Sequence, residues 1–132
     1  MPPFPVAGLA HFSHDWKLPR WTPSPHLHEG TDIFAAEGTP IVASGPGKVA
    51  ATARVPVGGI SVWIVADDGN AFYYAHLRGF AKGLQRGQRV EVGTVIGYVG
   101  DTGNAEGGPP HLHFELHPPL KNRRREIVAS GV

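Results

Sequence analysis

From residue 33 to residue 117 the chain alternates short apolar runs with turn-forming residues, and nothing in it sustains a helical period. Residues 33–36, 39–43 and 48–53 are apolar stretches of strand length, separated by Glu37-Gly38 and by Ser44-Gly45-Pro46-Gly47. Residues 60–66 are rich in β-branched and aromatic side chains. Asp67-Asp68-Gly69-Asn70 follows with the residue types a tight hairpin demands, so residues 71–76 are expected to return antiparallel. Residues 89–92, 94–99 and 111–117 read as three further strands. The pattern predicts an all-β protein of antiparallel β-sheets, packed as a sandwich or partly closed as a barrel.

A weak internal echo runs through this region. Gly38-Thr39-Pro40-Ile41-Val42-Ala43 resembles Gly93-Thr94-Val95-Ile96-Gly97, and Gly47-Lys48-Val49 resembles Gly87-Gln88-Arg89-Val90. Repeated turn-plus-strand units predict a fold of related halves. Residues 1–27 lack such periodicity but hold Phe4, Phe12, Trp16 and Trp21, too many aromatics for a disordered tail. They are expected to form an irregular lead-in lying on the body, and His11, His14 and His26 to be surface histidines.

Composition narrows the picture. With 132 residues and 41% hydrophobic residues, one domain with a single core is expected. Its parts are the lead-in at 1–27, a core at 28–117 and a tail at 118–132. Eighteen glycines and thirteen prolines suit a chain of many turns. Twelve basic side chains against eleven acidic ones give a formal charge of +1, so charge implies no nucleic-acid partner. The basic run Arg123-Arg124-Arg125 reads as a solvated tail. No stretch has the apolar length of a membrane span, and Met1-Pro2-Pro3-Phe4-Pro5 lacks the basic and apolar regions of a secretory signal. The expectation is a protein that stays inside or a mature fragment. The absence of cysteine confines any metal to imidazole and carboxylate ligands.

Those ligand types cluster in His28-Glu29-Gly30-Thr31-Asp32 and His111-Leu112-His113. Side chains repeat every two residues along a strand, so His111, His113 and Glu115 share one face. Five residues carry the chemistry: His28, Asp32, His76, His111 and His113. A set of one Asp and two His partly neutralises a divalent cation and leaves a position for water, the layout of catalytic zinc. An imidazole left free beside the metal, with a pKa near 6.5, suits general-base work. Glu115 is a candidate to hydrogen-bond a ligand imidazole from behind. Tyr74 is a candidate oxyanion donor, on condition that the strand is regular through His76. His117 reads as a surface histidine at a strand end.

The segment from His28-Glu29-Gly30-Thr31-Asp32 through Gly47-Lys48-Val49, then Tyr74-Ala75-His76-Leu77, then His111-Leu112-His113-Phe114-Glu115-Leu116, resembles in order the three signatures of lysostaphin-type zinc endopeptidases. The resemblance spans residues 28–117. It implies a duplicated hybrid barrel with an active-site groove, one zinc ion held by His28, Asp32 and His113, and His76 and His111 as the catalytic pair. It also implies a peptidoglycan peptide as substrate, a monomer, and an extracellular, periplasmic or cell-wall location. The loop at 101–110 departs from the family pattern, which leaves the shape of one groove wall open. Two other classes fit the sequence less well. A non-hydrolytic peptidoglycan-binding or hydrolase-activating module would have no need of all five residues, and a lipoyl- or biotinyl-carrier domain would need a hairpin-tip lysine that Asp67-Asp68-Gly69-Asn70 does not supply.

Overall fold

The fold comes from a computed structural model, and the structure describes residues 5–8, 10–12 and 30–119. Among the described residues nine strands follow one another: β1 (Ala10–Phe12), β2 (Thr31–Ala35), β3 (Pro40–Val42), β4 (Gly47–Val55), β5 (Gly59–Ala66), β6 (Ala71–Phe80), β7 (Arg89–Val90), β8 (Val95–Val99) and β9 (His111–His117). The one helical turn among the described residues is the three-residue 3₁₀ segment Gly103–Ala105. The main path through the sheet runs β1-β2-β9-β6-β5-β4-β7, every neighbour antiparallel, and β8 joins β3 to β6. The protein is all-β, as the alternation predicts.

Strand β1 is a correction, since it lies in the stretch expected to be irregular. Only three residues long, it pairs with β2 through Ala10–Ala35, His11–Phe34 and Phe12–Ile33. A strand that short leaves no period to read. Trp16, Trp21, His14, His26 and the Arg123–Arg125 run lie outside the described residues.

The echoing segments meet each other. Strand β3 pairs with β8, and Gly47 and Lys48 of β4 pair with Val90 and Arg89 of β7. Gly38 and Gly93, the equivalent turn residues, have nearly the same left-handed φ, +88° and +87°. Two like units facing each other bury both apolar sides at once.

Alternation along the central strands divides the sheet into two faces. Ile33, Val62, Ile64, Phe72, Tyr74, Leu77, Leu112 and Phe114 point one way, into the main core with Ile41, Val90, Ile96 and Val99. Trp63, Ala71, Tyr73 and Ala75 form a smaller cluster on the other side. Asp32, His113 and Ala75 are direct neighbours across β2, β9 and β6 and so share that second face. Trp63 packs against Tyr73 with the rings tilted and their centroids 4.7 Å apart.

Candidate metal centre and its flanking histidines

Strand pairing brings residues 81 positions apart into contact. Asp32 and His113 are register partners, and Asp32 Oδ1 lies 3.0 Å from His113 Nδ1. The imidazole needs room, and Gly30 supplies it: a Cβ at residue 30 would overlap the His113 ring. The other ring nitrogen, Nε2, lies 2.8 Å from Glu115 Oε2, and Glu115 Oε1 lies 2.8 Å from His117 Nε2. His117 is buried rather than exposed, packed 5.0 Å from the Trp63 ring, which corrects the surface reading. Glu115 thus bridges two imidazoles on one strand face.

These contacts set the charges. Burial by itself would lower the His113 pKa, but hydrogen bonds to Asp32 and Glu115 outweigh it and raise the value to about 9. With a carboxylate against each nitrogen, metal-free His113 is an imidazolium that donates from both. Asp32 is pulled below the usual carboxylate range, chiefly by its hydrogen bond to His113. Burial would raise Glu115, yet its bonds to His113 and His117 lower it.

His76 and His111 are held differently. His111 Nδ1 donates to the Pro109 carbonyl at 3.0 Å, leaving Nε2 facing Asp32 Oδ1 at 3.9 Å. Phe34 packs on the His111 ring at 5.1 Å. His76 Nδ1 donates to the Thr102 carbonyl at 2.7 Å, and its ring stands 5.0 Å from His111 and 6.0 Å from His113, edge-on to both. Burial, then the neighbouring histidines, keep the His76 pKa below its ordinary value, with the Thr102 carbonyl opposing them.

A fault in strand β6 delivers His76 to this face. Val62 pairs with Tyr74 and Ile60 with Leu77, so three steps on β6 match two on β5. The extra residue makes a bulge, and His76 sits in it at φ +65°, the single left-handed non-glycine residue among the described ones. Tyr74, two residues earlier, therefore points the opposite way. It is fully buried in the main core, where its hydroxyl accepts from Ser44 N at 3.1 Å and burial raises its pKa to about 12. Tyr74 does not reach the site, which corrects its reading as an oxyanion donor. The tyrosine on the site face is Tyr73, opposite Glu115 in the register.

The donor set suits zinc. Two atoms bound at about 2.0–2.1 Å to one tetrahedral ion lie roughly 3.3 Å apart, close to the 3.0 Å between Asp32 Oδ1 and His113 Nδ1. Among the described residues no group of three such side chains closes around one point. His28, the third expected ligand, lies outside the described residues. Thr102 was not singled out by the sequence, because a backbone carbonyl that anchors a ring has no side-chain signature.

Comparison with known proteins shows the family. A sequence model of peptidase family M23 matches residues 26–126. The chain is 38% identical over 120 residues to the L-Ala–D-Glu endopeptidase of Bacillus subtilis (strain 168), covering 87% of this chain and 37% of that protein. The catalytic domain of the antimicrobial peptidase lysostaphin from Staphylococcus simulans superposes with a TM-score of 0.63 at 31% identity, covering 73% of this chain and 71% of that one. A zinc-containing peptidase from Vibrio cholerae superposes with a TM-score of 0.68 at 30% identity, over 89% of this chain and 37% of that one. The chain spans well under half the length of the first curated relatives it matches. With the fold, the order of the motifs and the family match in agreement, the chain belongs to peptidase family M23.

Proposed function

We propose that this chain is the catalytic unit of a zinc-dependent endopeptidase that hydrolyses peptide cross-links or stems of bacterial peptidoglycan, outside the cytoplasm. The observation that carries the reading is the contrast among the histidines. His113 turns Nδ1 toward the Asp32 carboxylate, whereas His76 and His111 tie Nδ1 to backbone carbonyls and keep Nε2 for the site. Names of relatives point the same way, since one is an L-Ala–D-Glu endopeptidase and another a peptidoglycan DD-endopeptidase.

His28, Asp32 and His113 would hold the ion. Bound there, zinc supplies Lewis-acid polarisation of the scissile carbonyl and lowers the pKa of water toward neutrality. Glu115 accepts from His113 Nε2 and so fixes the ring orientation that presents Nδ1 beside Asp32. His76, kept neutral by burial and with Nδ1–H engaged, offers Nε2 as a proton acceptor for the attacking water. His111, once protonated, donates from Nε2 to the developing oxyanion while Pro109 holds its other nitrogen.

Digestion of defined muropeptides, with and without a chelator and read by mass spectrometry, tests the proposal. Cleavage that disappears on chelation and returns with zinc is expected. Stoichiometric zinc without cleavage of any cross-link or stem bond would replace this reading with the non-hydrolytic module.

A further inference from the structure

Strand β6 departs from regular pairing where it delivers His76, and one side chain from outside that sheet region fills the departure. Ile60 and Leu77 are register partners across β5 and β6. Between them stands the Thr102 hydroxyl: Ile60 N donates to Thr102 Oγ1 at 3.1 Å, and Thr102 Oγ1 donates to the Leu77 carbonyl at 2.6 Å. The hydroxyl thereby completes a ladder step that the bulge has opened, and it does so with its one donor and one of its lone pairs. The carbonyl of the same residue accepts from His76 Nδ1 at 2.7 Å. Thr102 therefore grips both the backbone just after His76 and the His76 ring.

The surroundings are shaped for that grip. His76 N donates to Gly58 O at 2.8 Å and Asn104 N to Val57 O at 2.9 Å, so the β4–β5 turn and the loop after Gly100 close on each other around Thr102. Gly59 and Gly103, both with positive φ, make the approach possible, since a Cβ on Gly59 would meet Thr102 and one on Gly103 would meet the Val57–Gly59 backbone. A left-handed histidine is strained and persists only where its surroundings over-determine it. Here the over-determination comes from Thr102.

We propose that Thr102 is a positioning residue for the peptidase reaction: its hydroxyl locks the β6 bulge and its carbonyl fixes His76 as the Nδ1–H tautomer, so that Nε2 is the lone pair facing the site. The proposal rests on the reading of His76 as proton acceptor, but its central claim concerns a tautomer and can be measured without turnover. Long-range ¹H–¹⁵N NMR of the zinc-loaded wild-type protein at pH 8 should show His76 protonated on Nδ1. Thr102→Val, which removes the hydroxyl at constant shape, should shift His76 toward the Nε2–H form and lower kcat by ~10–100-fold at nearly unchanged KM, in the range of other supporting-residue losses. Thr102→Ser, which keeps the hydroxyl, should restore both. A wild-type His76 protonated on Nε2 overturns the proposal even if Thr102→Val fails to fold. So does a folded Thr102→Val protein with wild-type tautomer and kcat, or a Thr102→Ser protein as impaired as Thr102→Val. Should wild type cleave no muropeptide at all, the peptidase reading fails while the ¹⁵N spectrum still decides the role of Thr102.

Discussion

The site has two halves that hold the same side chain in different ways. In one half His113 lies between Asp32 and Glu115, with Glu115 also bound to His117. In the other, His76 and His111 rest on the backbone carbonyls of Thr102 and Pro109. A carboxylate partner carries full negative charge and increases the basicity of the ring it touches, which suits a nitrogen that must bind a cation. A carbonyl partner orients the ring with only a partial charge and fixes Nδ1 as the donor, which leaves the Nε2 lone pair for the site. On the proposed reading, partner chemistry, more than place on the sheet face, separates holding an ion from moving a proton.

Substitutions on either side should break this contrast most visibly. His113→Ala is expected to abolish stoichiometric zinc by elemental analysis, and cleavage with it. His76→Ala and His111→Ala should retain zinc while kcat falls by roughly 10²–10⁴-fold, the usual share of general acid–base catalysis. Zinc retained by His113→Ala, or lost from both of the others, would erase the distinction between the halves.

Acid and alkali should separate the halves next. The His113 pKa is raised from 6.5 to about 9 in the folded, metal-free protein. Its contribution to stability is therefore complete below pH 6.5 and is lost as pH climbs through 9, an effect of at most about 3 kcal/mol. Asp32 and Glu115 are shifted down, so their contributions are present above the ordinary carboxylate range and vanish as pH falls below it. Metal-free protein should accordingly melt highest between about pH 5 and 6.5 and lose stability toward pH 9. Saturating zinc should remove the alkaline loss, because Nδ1 then no longer carries the proton. Zinc should in turn dissociate more readily on acidification. Thermal melts across pH, with and without metal, check both slopes, and a metal-free protein that gains stability from pH 6.5 to 9 would contradict the ion-paired His113.

Glu115→Gln keeps the shape of the carboxylate bridge and removes its charge. Zinc affinity, measured against a competing chelator, should fall ~10–100-fold while the bond spectrum of cleaved muropeptides stays the same. An unchanged affinity would mean that Asp32 alone supplies the electrostatic support of His113.

Much of the carboxylate half was legible in the sequence, and so was His111; the anchoring of the carbonyl half was not. His111, His113 and Glu115 sit at alternate positions of one strand, so a period of two puts them on one face whatever pairs with that strand. His76 was legible only as a motif member. Its arrival at the site depends on one inserted residue between Tyr74 and Leu77, and a bulge is defined by a partner strand that the sequence does not identify. The same fault breaks the condition of a regular strand on which Tyr74 is a candidate, and leaves Tyr73 as the tyrosine on the site face. His117 reads from the sequence as a strand-end surface residue because nothing local shows Trp63 of β5 lying against it. Thr102 and Pro109 act through carbonyl oxygens, which every residue carries, so no residue type marks them.

The smallest expected effect isolates the bulge itself. His76→Ala and His76→Gly both delete the imidazole, its bond to Thr102 and its packing on His111, so they differ only in a methyl group and in backbone freedom. In an ordinary strand position glycine is the worse of the two, since it loses more conformational entropy on folding. At φ +65° the order reverses, because alanine bears the left-handed penalty that glycine escapes. His76→Gly should therefore be more stable than His76→Ala by about 1 kcal/mol, a few degrees in melting temperature for a domain of this size. If alanine proves the more stable, the bulge has relaxed once the ring was removed, and the left-handed conformation is held by the His76–Thr102 bond rather than by the register of β5 and β6. If glycine wins, the register of β5 and β6, with the Thr102 hydroxyl in its ladder, imposes the bulge, and the carbonyl half of the site is built into the sheet before any histidine occupies it.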